Sequence, residues 1–577
     1  MGNRKKSSTL QTDPSKTKPF DILNSFLKSG VSKISENKIV IIIFILCFII
    51  YNTYTTIRMS GDTIPAAYLP FSIIYYHDLF FDQFCAQNFN AYFFTNVNGH
   101  LMSIFPIVTP ILITPFVFLC SFGMSPDQVS LFVAQIARTT SAGIAALAVC
   151  IFYLVVIRLV PEKIAILSSL IFAFATSTWS TSSQALWQHG MIELLLLLMI
   201  YIIVKNEDAF SRRSFIYLGL LSGVFVFCRP PDAILLIPIL GYVFFRNLKY
   251  SIYYIAPAIL SGLPFLAYNL YFFGNVLGGY VQNFQKFDLS LDVLFNYLGL
   301  FISPNKGILI FSPILVLAIF GYFSLKSINN KNVSLLLHWF GPILILDTLV
   351  YSFFGDWGGG YSYGPRFLTA LVPVLSIYVA LSLSDFWAHF QVSAYNYLKT
   401  GVIASLLIFS VAIQFIGVFY FPYLYDANYS QPWDLSKPVI INSMQDGKAQ
   451  IDTFVIQSIP PLPPLFYYSR SDSQTFQYAK EAREAGDYPT AAGYYEKYLQ
   501  TNPNSSIGWN ELGSCQMKLG QYEDALQSYD RSLAISPDNE NMWTNKAIAL
   551  QSLHRFNEAR DAYDTALRLK LNKTTNS

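Results

Sequence analysis

Long apolar runs alternate with short polar segments over most of the chain between residues 38 and 422. The first run extends from Ile39 to Tyr54, and others follow at roughly 101–122, 129–157, 164–178, 186–204, 215–228, 233–245, 251–273, 308–325, 334–354, 367–384 and 400–422. A helix needs ~20 apolar residues to cross a bilayer, and shorter runs, such as those flanking Pro230 and Pro231, favour broken helices that contact protein or water. The pattern predicts an all-α fold, a polytopic transmembrane helical bundle of about 11 to 13 spans.

A repeating pattern replaces the apolar runs near the carboxyl terminus. Equivalent residues recur every 34 positions, as in Trp509 and Trp543, Tyr495, Tyr529 and Tyr563, and Ala491, Ala525 and Ala559. This period resembles the tetratricopeptide repeat, a helix pair that stacks on its neighbours. Residues 472–577 are therefore predicted to form a small α-solenoid, whose simplest function is to bind a protein partner. Residues 423–471 are rich in proline and predict a semi-rigid linker.

The composition of the chain excludes an ordinary soluble or disordered protein. Only 13% of residues are charged, about half of the roughly 25% typical of soluble domains, and 53% are hydrophobic. The formal net charge of +3 gives no indication of a nucleic-acid partner. So little polar surface could not cover the apolar core, so we expect the lipid bilayer to surround much of the chain.

The distribution of basic residues predicts the orientation of the bundle. Residues 1–37 are polar and basic, which places the amino terminus in the cytoplasm by the positive-inside rule. The basic connections Lys205–Arg213, Arg246–Lys249 and Lys326–Lys331 are then also cytoplasmic, and the repeat domain lies outside. Counting five crossings before residue 205 conflicts with this orientation, so one early segment is predicted to be re-entrant, interfacial or miscounted. We expect a multi-pass protein of the cell membrane.

Polar residues near apolar segments are costly and therefore candidates for function. Asp62 lies in the predicted outer loop 58–100, where a carboxylate could accept a proton from a hydroxyl group, although Gly61-Asp62 before Pro65 also suits a helix cap. Asp82 and His100 follow as a possible second acid or metal-binding pair. No metal-binding motif is present, and weak Mg²⁺ or Mn²⁺ binding through carboxylates and a substrate phosphate stays possible.

Further candidates recur beside later apolar segments. Arg229 requires an anion, which could be Asp232 or a substrate phosphate. Lys306 and Arg366 are isolated cations, and three consecutive glycines at 358–360 permit close approach of a ligand to the backbone. The residues that could contact a sugar or a lipid chain are Gln188, His189, Trp357, Tyr361 and Tyr363.

These motifs resemble the GT-C superfamily of multi-spanning glycosyltransferases, in particular protein O-mannosyltransferases and the aminoarabinose transferase of lipid A. The matching segments, within residues 38–422, are Gly61-Asp62, Asn98-Gly99-His100, Trp187-Gln188-His189-Gly190 and Tyr361-Ser362-Tyr363-Gly364-Pro365-Arg366. The chain has Gly-Asp where protein O-mannosyltransferases have Asp-Glu. Spans followed by repeats also resemble a class of O-mannosyltransferases that bears tetratricopeptide repeats on the lumenal side.

The resemblance implies that a sugar passes, with inversion, from a polyprenyl (dolichyl) phosphate carrier to a hydroxyl group of a protein or glycan acceptor at the outer membrane face. Asp62 would be the general base. Arg366 and Lys306 would bind the departing lipid phosphate, together with Arg229 or a divalent cation, and no other cofactor is expected. Two alternatives stay open, namely a lipid or glycan transporter (flippase) and a membrane-anchored scaffold for the repeats.

Overall fold

The computed structural model describes residues 38–53, 60–84, 93–207, 210–246, 248–284, 292–360, 362–421, 432–436 and 438–446, and most of 476–575. The chain divides into two units, Met1–Leu465 and Phe466–Ser577, close to the predicted boundary at 472. The predicted cytoplasmic segment 1–37 lies outside the described residues. Nearly all regular structure is helical, which confirms the predicted all-α class.

The first unit is built from helices of very different lengths. They are α1 (Lys38–Tyr51), α2 (Ile64–Phe71), α3 (Val108–Ser121), α4 (Pro126–Val156), α5 (Glu162–Phe174), α6 (Gln188–Asn206), α7 (Arg212–Cys228), α8 (Ile237–Arg246), α9 (Ile252–Phe273), α10 (Val281–Phe284), α11 (Val293–Ile302), α12 (Ile308–Phe311), α13 (Leu317–Phe323), α14 (Lys331–Ser352), α15 (Val372–Ala388), α16 (Ala394–Phe419) and α17 (Val439–Asp446). Tight 3₁₀ turns at Pro230–Leu236 and Arg366–Leu371 precede α8 and α15.

Within the described residues, six helices are long and apolar enough to cross a membrane. They are Phe132–Val156, Gln188–Asn206, Leu248–Phe273, Lys331–Ser352, Arg366–Ala388 and Ala394–Phe419, and five shorter apolar helices accompany them. Helices α9 and α16 expose large apolar side chains, including Leu260 (68% exposed) and Ile408 (67% exposed). Such continuous apolar surface fits contact with lipid. The structure therefore supports membrane association, while the number of spans and their orientation stay predictions.

Two helices of the first unit cross at unusually short distance. A side chain at Gly219 or Gly223 of α7 would begin 2.2 or 2.1 Å from the carbonyl oxygens of Tyr254 and Ala258 of α9. Only glycine fits there, and a small-xxx-small pattern of this kind lets helix backbones approach closely in a membrane. The contact fixes α9, which lines one of the clefts described below.

A β-hairpin corrects the prediction that an apolar helical segment begins near residue 101. Strand β1 (Phe94–Val97) pairs antiparallel with β2 (His100–Ser103), and α3 begins only at Val108. Asn98 and Gly99 both have positive φ angles, 54° and 89°, as a two-residue hairpin turn requires. The Asn-Gly pair was the sequence signal for this turn.

Part of the predicted linker belongs to the first unit. Asn305 accepts a hydrogen bond from the backbone N–H of Val439 (2.7 Å) and donates to the carbonyl oxygen of Asp434 (3.3 Å). Val439 packs in one apolar cluster with Phe311 and Phe421. Residues 432–436 and α17 are therefore packed against the bundle, whereas the proline-rich stretch at 460–464 lies outside the described residues.

The second unit consists of stacked helices. They are α18 (Tyr488–Thr501), α19 (Ser506–Lys518), α20 (Tyr522–Ile535), α21 (Glu540–Ser552) and α22 (Phe556–Thr575). The repeated residues make repeated contacts, since the indole N–H groups of Trp509 and Trp543 donate to the carbonyl oxygens of Pro503 and Pro537, at 2.8 and 2.7 Å. The 34-residue sequence period therefore corresponds to a structural period.

Candidate functional site

Asp62 and Arg366 form an ion pair although they are far apart in the sequence. Asp62 lies in the turn before α2, where the hydroxyl of Thr63 accepts the backbone N–H of Ser60. Arg366 opens the 3₁₀ turn before α15. Its Nη1 lies 2.6 Å from Oδ2 of Asp62, and the two side chains are 11% and 21% exposed. The sequence predicted a role for each residue, and the structure brings the two together.

A cleft lies beside this pair. Its lining includes Asp62, Gln188, Ser103 and Phe105. A second cleft, lined mostly by apolar side chains, shares the segment that contains Ser103 and Phe105 and extends along Phe265 of α9. A charged group therefore adjoins an apolar surface, an arrangement suited to an amphipathic molecule.

The surroundings of Arg366 leave it partly available to an anion. Its guanidinium lies over the indole ring of Trp187, 4.5 Å from the ring centre, and the Nε atom has no hydrogen-bond partner among the described residues. A side chain at Gly359 would begin 3.1 Å from this Nε atom, and the backbone φ of Gly359 is +72°. The backbone of Gly359 therefore packs closely against Nε, which is buried. Trp187 belongs to the sequence motif Trp187-Gln188-His189-Gly190, but its contact with Arg366 was not predicted from the sequence.

Lys306 holds the glycine-rich segment in place through hydrogen bonds. Its buried ammonium donates to the carbonyl oxygens of Gly360 (2.7 Å) and Ser362 (2.8 Å) and to the Ser362 hydroxyl (3.1 Å). Burial and, to a smaller extent, the charge of Arg366 lower the pKa of Lys306 to about 7, against the opposing effect of Asp356. The predicted direct contact of Lys306 with a phosphate is not supported, because its donors serve the loop.

Arg229 is bound to a protein carboxylate, and this pairing does not support its predicted role in phosphate binding. Its Nη1 lies 2.5 Å from Oδ1 of Asp232, and the two side chains are 2% and 0% exposed. Both groups also contact the hydroxyl of Tyr351, whose ring lies beneath the guanidinium. The sequence left open whether Asp232 or a substrate provides the anion, and the structure assigns Asp232.

Asp82 and His100 form a pair at the edge of the hairpin. The Nδ1 atom of His100 lies 2.7 Å from Oδ2 of Asp82, whose other oxygen accepts the backbone N–H of Leu101. The imidazole stacks on the ring of Phe80 at 4.1 Å. Within the part of the chain that the structure describes, no group of three or more His, Cys, Asp or Glu side chains could hold a metal ion. A divalent cation stays a prediction.

The predicted sugar- or lipid-binding residues divide into two groups. Gln188 lines the cleft beside Asp62, and the adjacent His189 is buried, with neither ring nitrogen hydrogen-bonded to any described residue. Trp357 and Tyr363 form the other group, whose rings are buried against protein. The hydroxyl of Tyr363 donates a hydrogen bond to the carbonyl oxygen of Ile413 (2.8 Å). The last two rings face protein, which does not support the predicted ligand contact, and Tyr361 lies outside the described residues.

Among the described residues of the first unit, three carboxylates in helical segments are fully buried. Glu193 accepts hydrogen bonds from Ser182 (2.7 Å) and Thr178 (3.5 Å). Asp232 is paired as described, and Asp347 of α14 has no hydrogen-bond partner among the described residues for either oxygen. All three are 0% exposed. Asp347 was missed by the sequence reasoning, and the signal was a lone acid within the apolar run 334–354.

Comparison with known families identifies the second unit only. Residues 477–540 and 517–572 match models of the tetratricopeptide repeat. A comparison with curated protein sequences found no match. The carboxyl-terminal part of this chain is therefore made of tetratricopeptide repeats, and that prediction is confirmed.

Proposed function

We propose that the protein is a membrane glycosyltransferase that moves a sugar from a polyprenyl phosphate carrier to an acceptor hydroxyl. The observation that carries the proposal is the pairing of Asp62 with Arg366 beside a cleft that shares lining residues with a more apolar one. A lipid-linked sugar has a sugar, one phosphate and a long apolar chain. The site offers a carboxylate, a guanidinium and an apolar surface in the corresponding places.

The ion pair implies an order of events. Arg366 is engaged by Asp62 before the donor arrives, so the guanidinium occupies Oδ2 of the carboxylate. The donor phosphate would compete for the guanidinium, through Nη1 and the unpartnered Nε, and so release Asp62. Donor binding would thereby remove the guanidinium from the carboxylate that the reaction needs.

The chemical step is a displacement at the anomeric carbon. The acceptor oxygen forms a bond to this carbon from the face opposite the phosphate, while Asp62 takes the hydroxyl proton. The bond from the carbon to the phosphate oxygen breaks, and its electron pair leaves with the phosphate. Arg366 stabilises the negative charge that develops on the leaving group, with inversion at the carbon.

Two other functions have support from specific observations. Buried intramembrane carboxylates such as Glu193, Asp232 and Asp347 are typical of transporters, which favours a lipid or glycan flippase. The tetratricopeptide repeats favour a membrane-anchored scaffold. A sealed-vesicle experiment with the purified full chain and a labelled polyprenyl-phosphate sugar separates the three functions.

If the protein is a glycosyltransferase, it converts the labelled donor to free polyprenyl phosphate at one face of the membrane. The rate of this conversion should fall at least about 100-fold in Asp62→Asn, which is the usual effect of removing a general base. A membrane extract supplies the acceptor. Asp385→Asn is the matched control, because Asp385 is an exposed acid that pairs with His389 on α15. Movement of the intact donor across the bilayer would contradict the proposal and indicate a transporter. If the donor is neither converted nor moved, the scaffold function is the one that fits.

A further inference from the structure

Asp347 is a buried carboxylic acid inside an apolar helix. It lies in α14, a helix long and apolar enough to cross a membrane, and its side chain is fully buried. Neither of its oxygens has a hydrogen-bond partner among the described residues. Glu193, by contrast, accepts hydrogen bonds from two hydroxyl groups. A carboxylate in the place of Asp347 is strongly destabilising unless it binds a proton or a cation.

The ion pair of Arg229 and Asp232 lies against the same face of α14. Tyr351 follows Asp347 by one helical turn, and its hydroxyl bonds to Asp232, so this face of α14 lies against the tight turn Pro230–Leu236. Asp232 and Arg229 both act electrostatically on Asp347. Oδ1 of Asp232 is bonded to Arg229 and Tyr351, whereas its Oδ2, like both oxygens of Asp347, has no hydrogen-bond partner within the described ranges.

The charges of this cluster do not balance if both acids are ionised. Arg229 supplies one positive charge, which Asp232 neutralises at 2.5 Å, so an ionised Asp347 would add an uncompensated negative charge. The other described titratable groups that act on this pair of acids carry no positive charge in any state, and they are Cys228, Tyr280 and Tyr351. One positive charge is therefore missing from the cluster.

A proton fits the missing charge better than a metal cation. A metal ion needs several oxygen ligands, but the hydroxyl of Thr348, next to Asp347, donates to the carbonyl oxygen of Leu344 (2.9 Å). In the described part of the chain, no group of three or more acidic, histidine or cysteine side chains could hold such an ion. A proton needs only one oxygen of each acid, as in other pairs of neighbouring carboxyl groups.

We propose that Asp347 and Asp232 form a proton-binding site within the helical bundle. One proton is bound to Asp347 and is shared with the unbonded Oδ2 of Asp232, while Arg229 neutralises the second carboxylate. Carboxyl groups of this kind mark proton pathways in membrane proteins. The proposal concerns the bundle alone and does not depend on the proposed glycosyltransferase activity.

Infrared spectroscopy of the purified full chain in detergent at neutral pH tests the site directly. A protonated carboxyl group has a carbonyl stretching band at higher frequency than an ionised one, and this band shifts in D₂O. We expect Asp347→Asn to remove the intensity of one protonated carboxyl group from the band. Asp385→Asn, which removes an exposed acid of α15, is the matched control and should leave the band unchanged. An unchanged band in Asp347→Asn would overturn the proposal.

Thermal unfolding of the same variants separates a proton from an ionic partner. Asparagine has the shape of a protonated aspartic acid, so Asp347→Asn should unfold within about 2 °C of the unaltered chain. Asp232→Asn leaves Arg229 unpaired and should lower the Tm by at least about 5 °C. A Tm lowered as much in Asp347→Asn would show that Asp347 is an ionised partner of Arg229 and would contradict the proposal.

The choice of salt tests for a metal cation in the same place. The unaltered chain should unfold at the same temperature in sodium chloride and in choline chloride, because choline is too large to enter a buried site. Stabilisation by sodium that is absent in Asp347→Asn would assign the site to a metal ion and overturn the proton.

Discussion

At the scale of single residues, Arg366 combines an ion pair with a donor that lacks an acceptor. Asp62 pairs with Nη1 of the guanidinium, Trp187 lies beneath its face, and the buried Nε has no hydrogen-bond partner among the described residues. Cations that serve only structure usually have their donors occupied, as Arg229 and Lys306 show in the same unit. The combination of a partner that can be displaced and a vacant donor makes Arg366 the residue best placed to receive an anion.

Replacing Asp62 should separate binding from turnover. Asp62→Asn removes the carboxylate that competes with the donor phosphate, and a partly exposed ion pair of this kind is worth about 1 kcal/mol. We therefore expect the donor to bind about fivefold more tightly to this variant while transfer is lost. Equilibrium binding of a labelled polyprenyl-phosphate sugar measures the first effect. Weaker binding would show that Asp62 contributes to structure rather than to a displaceable pair.

Lys306 should make donor binding depend on pH. Because burial and the nearby Arg366 lower the pKa of Lys306 to about 7, the ammonium loses its charge as pH rises from 6 to 8. The phosphodiester of the donor stays singly negative over this range, so its attraction to the site weakens. We expect the donor Kd to rise about fivefold, or ~1 kcal/mol.

The variant Lys306→Gln has no charge to lose and should show a flat profile. Lys331→Gln, which removes an exposed ammonium on α14, serves as the control and should keep the pH dependence. The same rise in Kd in Lys306→Gln would assign the titration to another group.

The sequence predicts which residues are candidates for a functional role more readily than it predicts which residues they contact. Asp62 and Arg366 stood out because charges near apolar segments are costly, but only the folded chain joins residues from a loop before α2 and a turn before α15. Arg229 and Tyr363 looked similar in the sequence. They are occupied by Asp232 and by the Ile413 carbonyl, and long-range contacts such as the second leave no local signal.

At the scale of secondary-structure elements, the close crossing of α7 and α9 positions the apolar cleft. Gly219→Val would place new atoms against the Tyr254 carbonyl and force the helices apart, at a cost of about 1–3 kcal/mol. We expect a lower thermal unfolding temperature and weaker donor binding, because α9 carries Phe265 in the cleft. Gly401→Ala on α16 is the control, since nothing lies within 4 Å of its added atom. Equal stability of the two variants would contradict the packing.

The β-hairpin was not predicted from the sequence because its signal, a two-residue turn, is short and adjoins an apolar run. The Asn98-Gly99 turn was overlooked because the residues that follow it continue into an apolar stretch, so the hairpin read as the start of a helix. The break at Pro230 and Pro231 was predicted correctly, since proline removes a backbone donor and leaves a tight turn there.

At the scale of the whole molecule, the chain contains a bundle of apolar helices and a polar repeat unit. The repeat unit could be predicted because equivalent residues recur every 34 positions in the sequence. The number of membrane spans could not be predicted, because several apolar helices are shorter than the thickness of a bilayer. Charge in the loops predicts that the repeats lie outside the cytoplasm. Protease added to sealed right-side-out vesicles should remove the repeats, and protection of the repeats would reverse the predicted orientation.

Release of the lipid phosphate tests the central claim most directly. Purified full chain is incubated with a polyprenyl-phosphate sugar and a membrane extract that supplies the acceptor, and free polyprenyl phosphate is quantified over time. We expect steady release by the unaltered chain and by Asp385→Asn, and a loss of at least about 100-fold in Asp62→Asn. Release at an undiminished rate in Asp62→Asn, or no release by the unaltered chain, would contradict the central claim.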